Sequence, residues 1–369
     1  MFYELFEYIN SVFSPPGFDV FRFITFRAAA AAITALLISW FIGPRIIAFL
    51  RKRQIGESAK LEAPETHLVK AGTPTMGGLI VLTSIIVPVL LWGQLTNTYV
   101  WLILLATAML GGVGFVDDYL KVVRKFPKGL IGEYKIVGQI VVGLIVGGVL
   151  YFSPQFDAYK SVTTVPFFKN LVLDFSFFYI PMIIFVIVAT SNAVNLTDGL
   201  DGLAIGTISI AFIAIAFISY ASGRVDFSNY LNIIYLPGSG ELTVFSAAVL
   251  GAGLGFLWYN AYPAQIFMGD TGSLALGGAL GVLMVMIKKE LLLPILGGIF
   301  FAETVSVLIQ KAYFKYTKRK YGQGKRVFRM APIHHHFELL GWPEPKIVTR
   351  FYIIAIILAI ISLATFKVR

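Results

Sequence analysis

The chain contains no cysteine. That excludes disulfides, thiolate metal sites and cysteine nucleophiles. Charge is scarce too: Asp, Glu, Lys and Arg make up 14% of the residues, against about 25% in an ordinary soluble domain. A P-loop is missing as well. The nearest stretch, HLVKAGTPTMGG at 67–78, lacks the G-x-x-x-x-G-K spacing, and there is no kinase, hydrolase-elbow or dinucleotide fingerprint. Residues 1–19 carry no basic region ahead of the first apolar run, so they are not expected to form a cleavable signal peptide.

What fills the chain instead is apolar sequence. Hydrophobic residues make up 57% and the mean hydropathy is +0.79. A membrane-spanning helix needs roughly 20 apolar residues. Ten runs are candidates, at about 20–43, 76–92, 98–115, 136–152, 177–193, 203–221, 242–258, 272–287, 291–310 and 351–366. The expected fold is therefore all-α, a polytopic helical bundle in the membrane that forms one domain over residues 1–369. The run at 76–92 is the shortest, and Pro88 is placed to kink it.

Positive charge collects on the cytoplasmic side of membrane proteins. The segment 44–75 holds six Lys or Arg, 116–135 holds five and 311–350 holds ten, which is 21 of the 30 in the chain. Alternation along ten spans then puts these segments in the cytoplasm and both termini outside. The short connections at 192–201 and 259–271 fall on the cytoplasmic side as well. The net charge of +10 reads first as this topology signal together with attraction to anionic lipid. Nucleic acid is not an expected partner, because the basic residues belong to membrane loops.

Against that apolar background, acids and amides stand out at the ends of spans. GFVDDYLK at 114–121 places Asp117 and Asp118 where a helix ends, although helix C-termini favour cations. Adjacent helical residues point about 100° apart. One carboxylate is thus expected to face a reaction centre while the other meets metal, lysine or a neighbouring helix. Lys121 and Lys135 lie close by in sequence and suit a phosphorylated substrate. In SNAVNLTDGLDGLA at 191–204, Asn192, Asn195, Asp198 and Asp201 recur every three residues and share a helical face. Gly199 and Gly202 mark a break where a ligand can approach the backbone. A capped turn would explain one of these acids but not the two asparagines as well. Asn260 and FMGDTGS at 267–273 bring a third acid, Asp270. Mg²⁺ prefers oxygen ligands, commonly one or two carboxylates plus substrate phosphates, and Asp270 with one acid of the other loops would suffice.

Three of the four histidines are consecutive, His334, His335 and His336 in APIHHHFE. On a helix they span about 200° and cannot converge on one ion. Hydrogen bonding to phosphate or sugar oxygens suits them better. Lys70 and Thr75, just ahead of a span, offer a further phosphate contact.

VDDYLK, NAVNLTDGLDGL, MGDTGSLALGG and APIHHHFE together resemble the polyprenyl-phosphate hexose-1-phosphate transferases, over essentially the whole chain and in order. PTMGG and the unbroken histidine run resemble the branch that acts on UDP-N-acetylmuramoyl-pentapeptide. The resemblance implies ten spans and a Mg²⁺-dependent transfer of the phospho-sugar to undecaprenyl phosphate in the bacterial inner membrane. It also implies a homodimer. Carried onto this chain, it makes Asp270 the Mg²⁺ ligand and Asp117, Asp118, Asp270 and His335 the catalytic set. Gly199, Leu200, Asp201, Asn260 and Phe267 would form a uridine pocket. Lys70, Thr75, Lys121, Lys135, Asn192, Asn195, Asp198, His334 and His336 would line the rest of the substrate site. A sister activity on UDP-N-acetylglucosamine is the nearest alternative. A secondary transporter is the alternative outside enzymes, although transporter sites lie near the midplane rather than at one interface.

Overall fold

The computed structural model describes residues 1–13, 16–53, 72–126, 128–168 and 171–366. Lys70 and His67 lie outside the described residues. Fourteen α-helices carry the fold: α1 Phe2–Phe13, α2 Ile24–Lys52, α3 Gly78–Trp92, α4 Thr98–Asp118, α5 Gly132–Phe152, α6 Tyr179–Thr197, α7 Leu203–Ser222, α8 Val225–Leu231, α9 Leu242–Asn260, α10 Gly269–Met286, α11 Leu293–Leu296, α12 Gly298–Tyr321, α13 Ile333–Glu338 and α14 Glu344–Ala364. One antiparallel hairpin, β1 Val162–Thr164 with β2 Val172–Asp174, pairs Val162 with Asp174.

Eight of the described helices are long and apolar enough to cross a membrane. This corrects the expectation of ten spans in two places. The run at 291–310 is not a straight helix: Glu290–Leu296 and Gly298–Tyr321 meet at an angle of 83° around Gly297. The run at 76–92 yields α3, which has 15 residues. It starts late because the stretch from Pro74 to Gly78 turns, with Met76 at φ +74°, and bonds to the 267–268 segment. Gly77 N–H donates to Phe267 O at 2.8 Å, Gly78 N–H to Met268 O at 2.8 Å, and Phe267 N–H to Pro74 O at 2.8 Å. α2 departs the other way. It runs on to Lys52, so Arg45 and Arg51 lie on its last turns rather than in a loop.

α10 is the centre of the bundle: every residue from Thr271 to Met286 is buried. Its small residues permit this, since lipid gives helices no hydrophobic reason to associate and close backbone approach must hold them. Gly278 faces Leu110 of α4, and Gly277 and Gly281 face Ser191 and Thr190 of α6. α2 and α9 touch in the same way, with Gly251 against the backbone of Ala32 and Gly255 against Ser39.

The N-terminal residues form an aromatic plug at one end of the bundle. α1 packs Phe6 on Phe21 with ring centroids 3.9 Å apart, and Phe2 edge-on to Trp92 at 5.3 Å. Under it, Arg27 is 2% exposed and Glu241 4% exposed. They form a two-pronged pair, Nη1 to Oε2 at 2.7 Å and Nη2 to Oε1 at 2.6 Å. Arg27 also donates to Trp92 O, and Gln94 N–H donates to Glu241, so α2, α3 and the start of α9 are joined at one point. Replacing Glu241 with Ala leaves a guanidinium buried and uncompensated. A loss of roughly 3–5 kcal/mol is expected, read as a lower thermal unfolding midpoint in detergent. An unchanged midpoint would show that the pair does not hold this end together.

Candidate functional site

Asp117, Asp118 and Asp270 come together at the end of the bundle opposite the plug. One carboxylate oxygen of each lies within 4.8 Å of the others. α4 brings the first two at its C-terminus and α10 brings the third in its first turn. α4 then continues as a π-helical turn over Tyr119–Val123, and this turn carries Lys121.

The two neighbouring aspartates do different work, as the 100° between them requires. Asp118 faces the N-terminus of α10. It accepts from Asp270 N–H at 3.1 Å, from Thr271 N–H at 2.9 Å and from the Thr271 hydroxyl at 2.6 Å. A carboxylate at a helix N-terminus satisfies orphan amides and meets the positive end of the dipole. Gly269 makes this approach possible. Its φ is +74°, and a Cβ there would lie 2.7 Å from Asp118 Oδ2 and 3.0 Å from Thr75 Oγ1. Asp117 faces the lysines instead. It pairs with Lys121 and with Lys135 at 2.8 Å, and its other oxygen accepts from Leu130 N–H at 2.7 Å.

Asp270 completes the cluster. Lys135 Nζ lies 2.6 Å and Lys121 Nζ 3.3 Å from its Oδ2, while Asn195 Nδ2 donates to Oδ1 at 2.9 Å. Three carboxylates and two ammonium groups leave one formal negative charge. The donors are all hard oxygens, which suits Mg²⁺, Mn²⁺ or Ca²⁺ rather than a soft metal.

A buried amide network supports these groups. Asn195 also donates to Ser273 Oγ at 2.8 Å. One turn deeper, Asn192 donates to Gln139 Oε1 at 2.8 Å and to Val188 O at 2.8 Å, so its amide is bonded inside the bundle. Gln139 bonds Ser191, and Ser191 bonds Leu274 O. Sequence reasoning passed over Gln139. Its signal was a lone amide in an apolar helix, four residues after Lys135 and on the same face.

A second cluster borders the first. α6 ends at Thr197 and α7 begins at Leu203, so Asp198, Gly199, Leu200, Asp201 and Gly202 form a tight turn. Four bonds grip its far side. Asp201 Oδ2 accepts from Ala264 N–H at 2.9 Å, and Asp201 N–H donates to Glu344 Oε1 at 2.6 Å. Gly202 N–H donates to Asn260 Oδ1 at 3.1 Å, and Tyr352 OH donates to Gly202 O at 2.7 Å. Asn260 also donates to Ile266 O at 2.9 Å, so it clasps the 261–267 loop to the turn. Leu200 is buried beside Leu203, Ile347 and Phe351, and Phe267 is half-buried at the rim. Glu344 and Tyr352 escaped the sequence reading, because a Glu two residues after a Trp and a Tyr inside an apolar run look like span flanks.

The three histidines diverge. On α13, His334 is buried with Nδ1 3.1 Å from Glu303 Oε1. His335 Nδ1 lies 2.6 Å from Glu338 Oε2, and His336 Nδ1 accepts from Arg329 N–H at 3.1 Å. Among the described residues the carboxylate cluster is made by the three aspartates without them.

Residues 100–288 match glycosyl transferase family 4, and residues 70–82 match phospho-N-acetylmuramoyl-pentapeptide-transferase signature 1. Relatives with the name phospho-N-acetylmuramoyl-pentapeptide-transferase are similar over the full length of both chains. The one from Chloroherpeton thalassium is 55% identical, that from Pelodictyon phaeoclathratiforme 54% and that from Salinibacter ruber 52%.

Because Asp118 caps α10 while Asp270 does not, their alanine variants should differ in stability. Asp118→Ala is expected to lose about 1–2 kcal/mol, visible as a lower unfolding midpoint, and Asp270→Ala clearly less. Equal midpoints would remove the capping role.

Proposed function

The chain belongs to glycosyl transferase family 4, and from that membership we propose that it transfers phospho-N-acetylmuramoyl-pentapeptide from its UDP derivative to undecaprenyl phosphate. The products are UMP and lipid I, and the reaction is the first membrane step of peptidoglycan synthesis. One observation carries the reading. A full-length relative of that name, from Chloroherpeton thalassium, is 55% identical; the three acids that converge beside two lysines are consistent with it. The excess of Lys and Arg on the connections at that end supports a cytoplasmic active site in the bacterial inner membrane. A homodimer is part of the same proposal, taken from family resemblance.

Phosphoryl transfer rests on positioning and on neutralising charge. Mg²⁺, held by Asp270 with Asp117, would supply charge neutralisation at the pyrophosphate. Asp118 keeps Asp270 in place through the N-terminus of α10. Lys121 and Lys135, whose ammonium groups already sit between Asp117 and Asp270, are placed to pass to substrate phosphates. Asp117 orients the lipid phosphate. That monoester has a second pKa near 6, like a phosphorylated side chain, so it is largely ionised at neutral pH and attacks directly without a strong base. Gly199, Leu200, Asp201, Asn260 and Phe267 form the uridine pocket, with the Phe267 ring against the base. Thr75, Asn195, Asp198, His335 and His336 border the sugar and phosphates, with Asn192 behind them inside the bundle and His334 behind Gly199. Lys70, outside the described residues, belongs to the same proposal.

Purified protein supplied with Mg²⁺, UDP-N-acetylmuramoyl-pentapeptide and undecaprenyl phosphate should release UMP and form the lipid-linked sugar. Neither product forming would overturn the assignment. Chelation should stop turnover, and added Mg²⁺ should restore it. Asp117→Ala and Asp270→Ala should each lower kcat by on the order of 10²–10³ or more with expression intact. A labelled phospho-sugar adduct on the protein, trapped without lipid acceptor, would replace direct attack with a two-step route.

A further inference from the structure

Glu303 sits on α12 with no exposed surface. A carboxylate taken out of water costs several kcal/mol unless a partner compensates it. The group that faces it is His334, also 0% exposed, with Nδ1 3.1 Å from Glu303 Oε1. The contact is a close polar approach rather than an aligned hydrogen bond, and neither the second carboxylate oxygen nor His334 Nε2 has a partner among the described residues. The ring is therefore not held by a single directed bond. It is held by what surrounds it.

Three neighbours enclose it. Glu303 lies on the Nδ1 side. His335, itself paired to Glu338, packs edge to face with ring centroids 4.2 Å apart. Gly199 lies on the Nε2 side, so close that a Cβ on Gly199 would overlap the ring. The imidazole thus forms the wall behind the 198–200 half of the turn. The 201–202 half has its own four bonds, to Ala264, Glu344, Asn260 and Tyr352.

We propose that Glu303 is a positioning residue, which fixes the His334 ring as the wall that shapes the Gly199 side of the nucleotide pocket. The inference rests on the reading of the 198–202 turn as that pocket. Glu303 touches no substrate, and its influence passes through His334. With Glu303 gone, the ring has no polar partner on its Nδ1 side and turns away. The Gly199 side of the turn then loses its support, while the aspartate cluster stays as it was. Such a change weakens binding that is common to ground state and transition state, which raises KM and leaves kcat alone.

The test uses the full chain in detergent, with UMP release as the assay and thermal unfolding beside it. Glu303→Ala should raise KM for UDP-N-acetylmuramoyl-pentapeptide by roughly tenfold, the worth of one polar contact, with kcat within about twofold. Glu303→Gln, which keeps volume and an acceptor oxygen, should recover most of that loss. Combined with His334→Ala, the Glu303→Ala change should add nothing to KM, since residues acting through one another are not additive. Gly199→Ala, which presses the ring from the other side, should raise KM too and serves where Glu303→Ala does not fold. Folded Glu303 variants with the wild-type KM, or a double variant whose defects add, would overturn the inference. A wild-type protein that releases no UMP would instead overturn the functional reading, so the two failures are distinct.

Discussion

Asp118 is the contact on which the site depends. A helix N-terminus carries unsatisfied amides, and in a membrane protein water cannot be counted on to satisfy them. The side chain that meets this need belongs to a helix about 150 residues earlier in the chain. Through it α4 and α10 are locked end to end, and the acid next to each end of that lock, Asp117 on one and Asp270 on the other, is brought into register. The double aspartate at the end of α4 is then no longer locally unfavourable. One of the pair offsets a positive helix end, and the other is matched by two ammonium groups.

The same logic operates at the opposite end of the bundle with different chemistry. There a guanidinium and a carboxylate are sealed beneath aromatic rings and have no room for exchange with a ligand. The aspartate cluster differs in that its cations sit on long flexible side chains and remain partly open, with Lys121 36% exposed. Burial alone does not separate a structural ion pair from a reactive one. The freedom of the counter-ion does.

Much of this was legible before any coordinates. The ten apolar runs each became helix, and two of the three acid-bearing motifs join their acids in one cluster, which the third reaches through Asn195. Those features follow from composition and from periodicity along the chain. The bend at Gly297 between α11 and α12, the late start of α3 and the roles of Gln139, Glu303, Glu344 and Tyr352 were not legible. Apart from the bend, they depend on partners far away in sequence: α3 starts late because residues 74–78 bond to 267–268, and Glu303 matters because His334 comes to rest on it. The three histidines show the boundary. Spacing was enough to say that they diverge, but not that each would find a different partner.

The shortness of α3 has a geometric result. Its far end lies with the N-terminal plug, where Met1 N donates to Leu90 O. From there its 15 residues rise about 22 Å, while the 29 residues of α2 rise about 43 Å. Hydrocarbon is about 30 Å deep. α2 therefore stands about 21 Å taller than α3 at the end of the bundle that holds the aspartates, a helical bank longer than the hydrocarbon alone can cover.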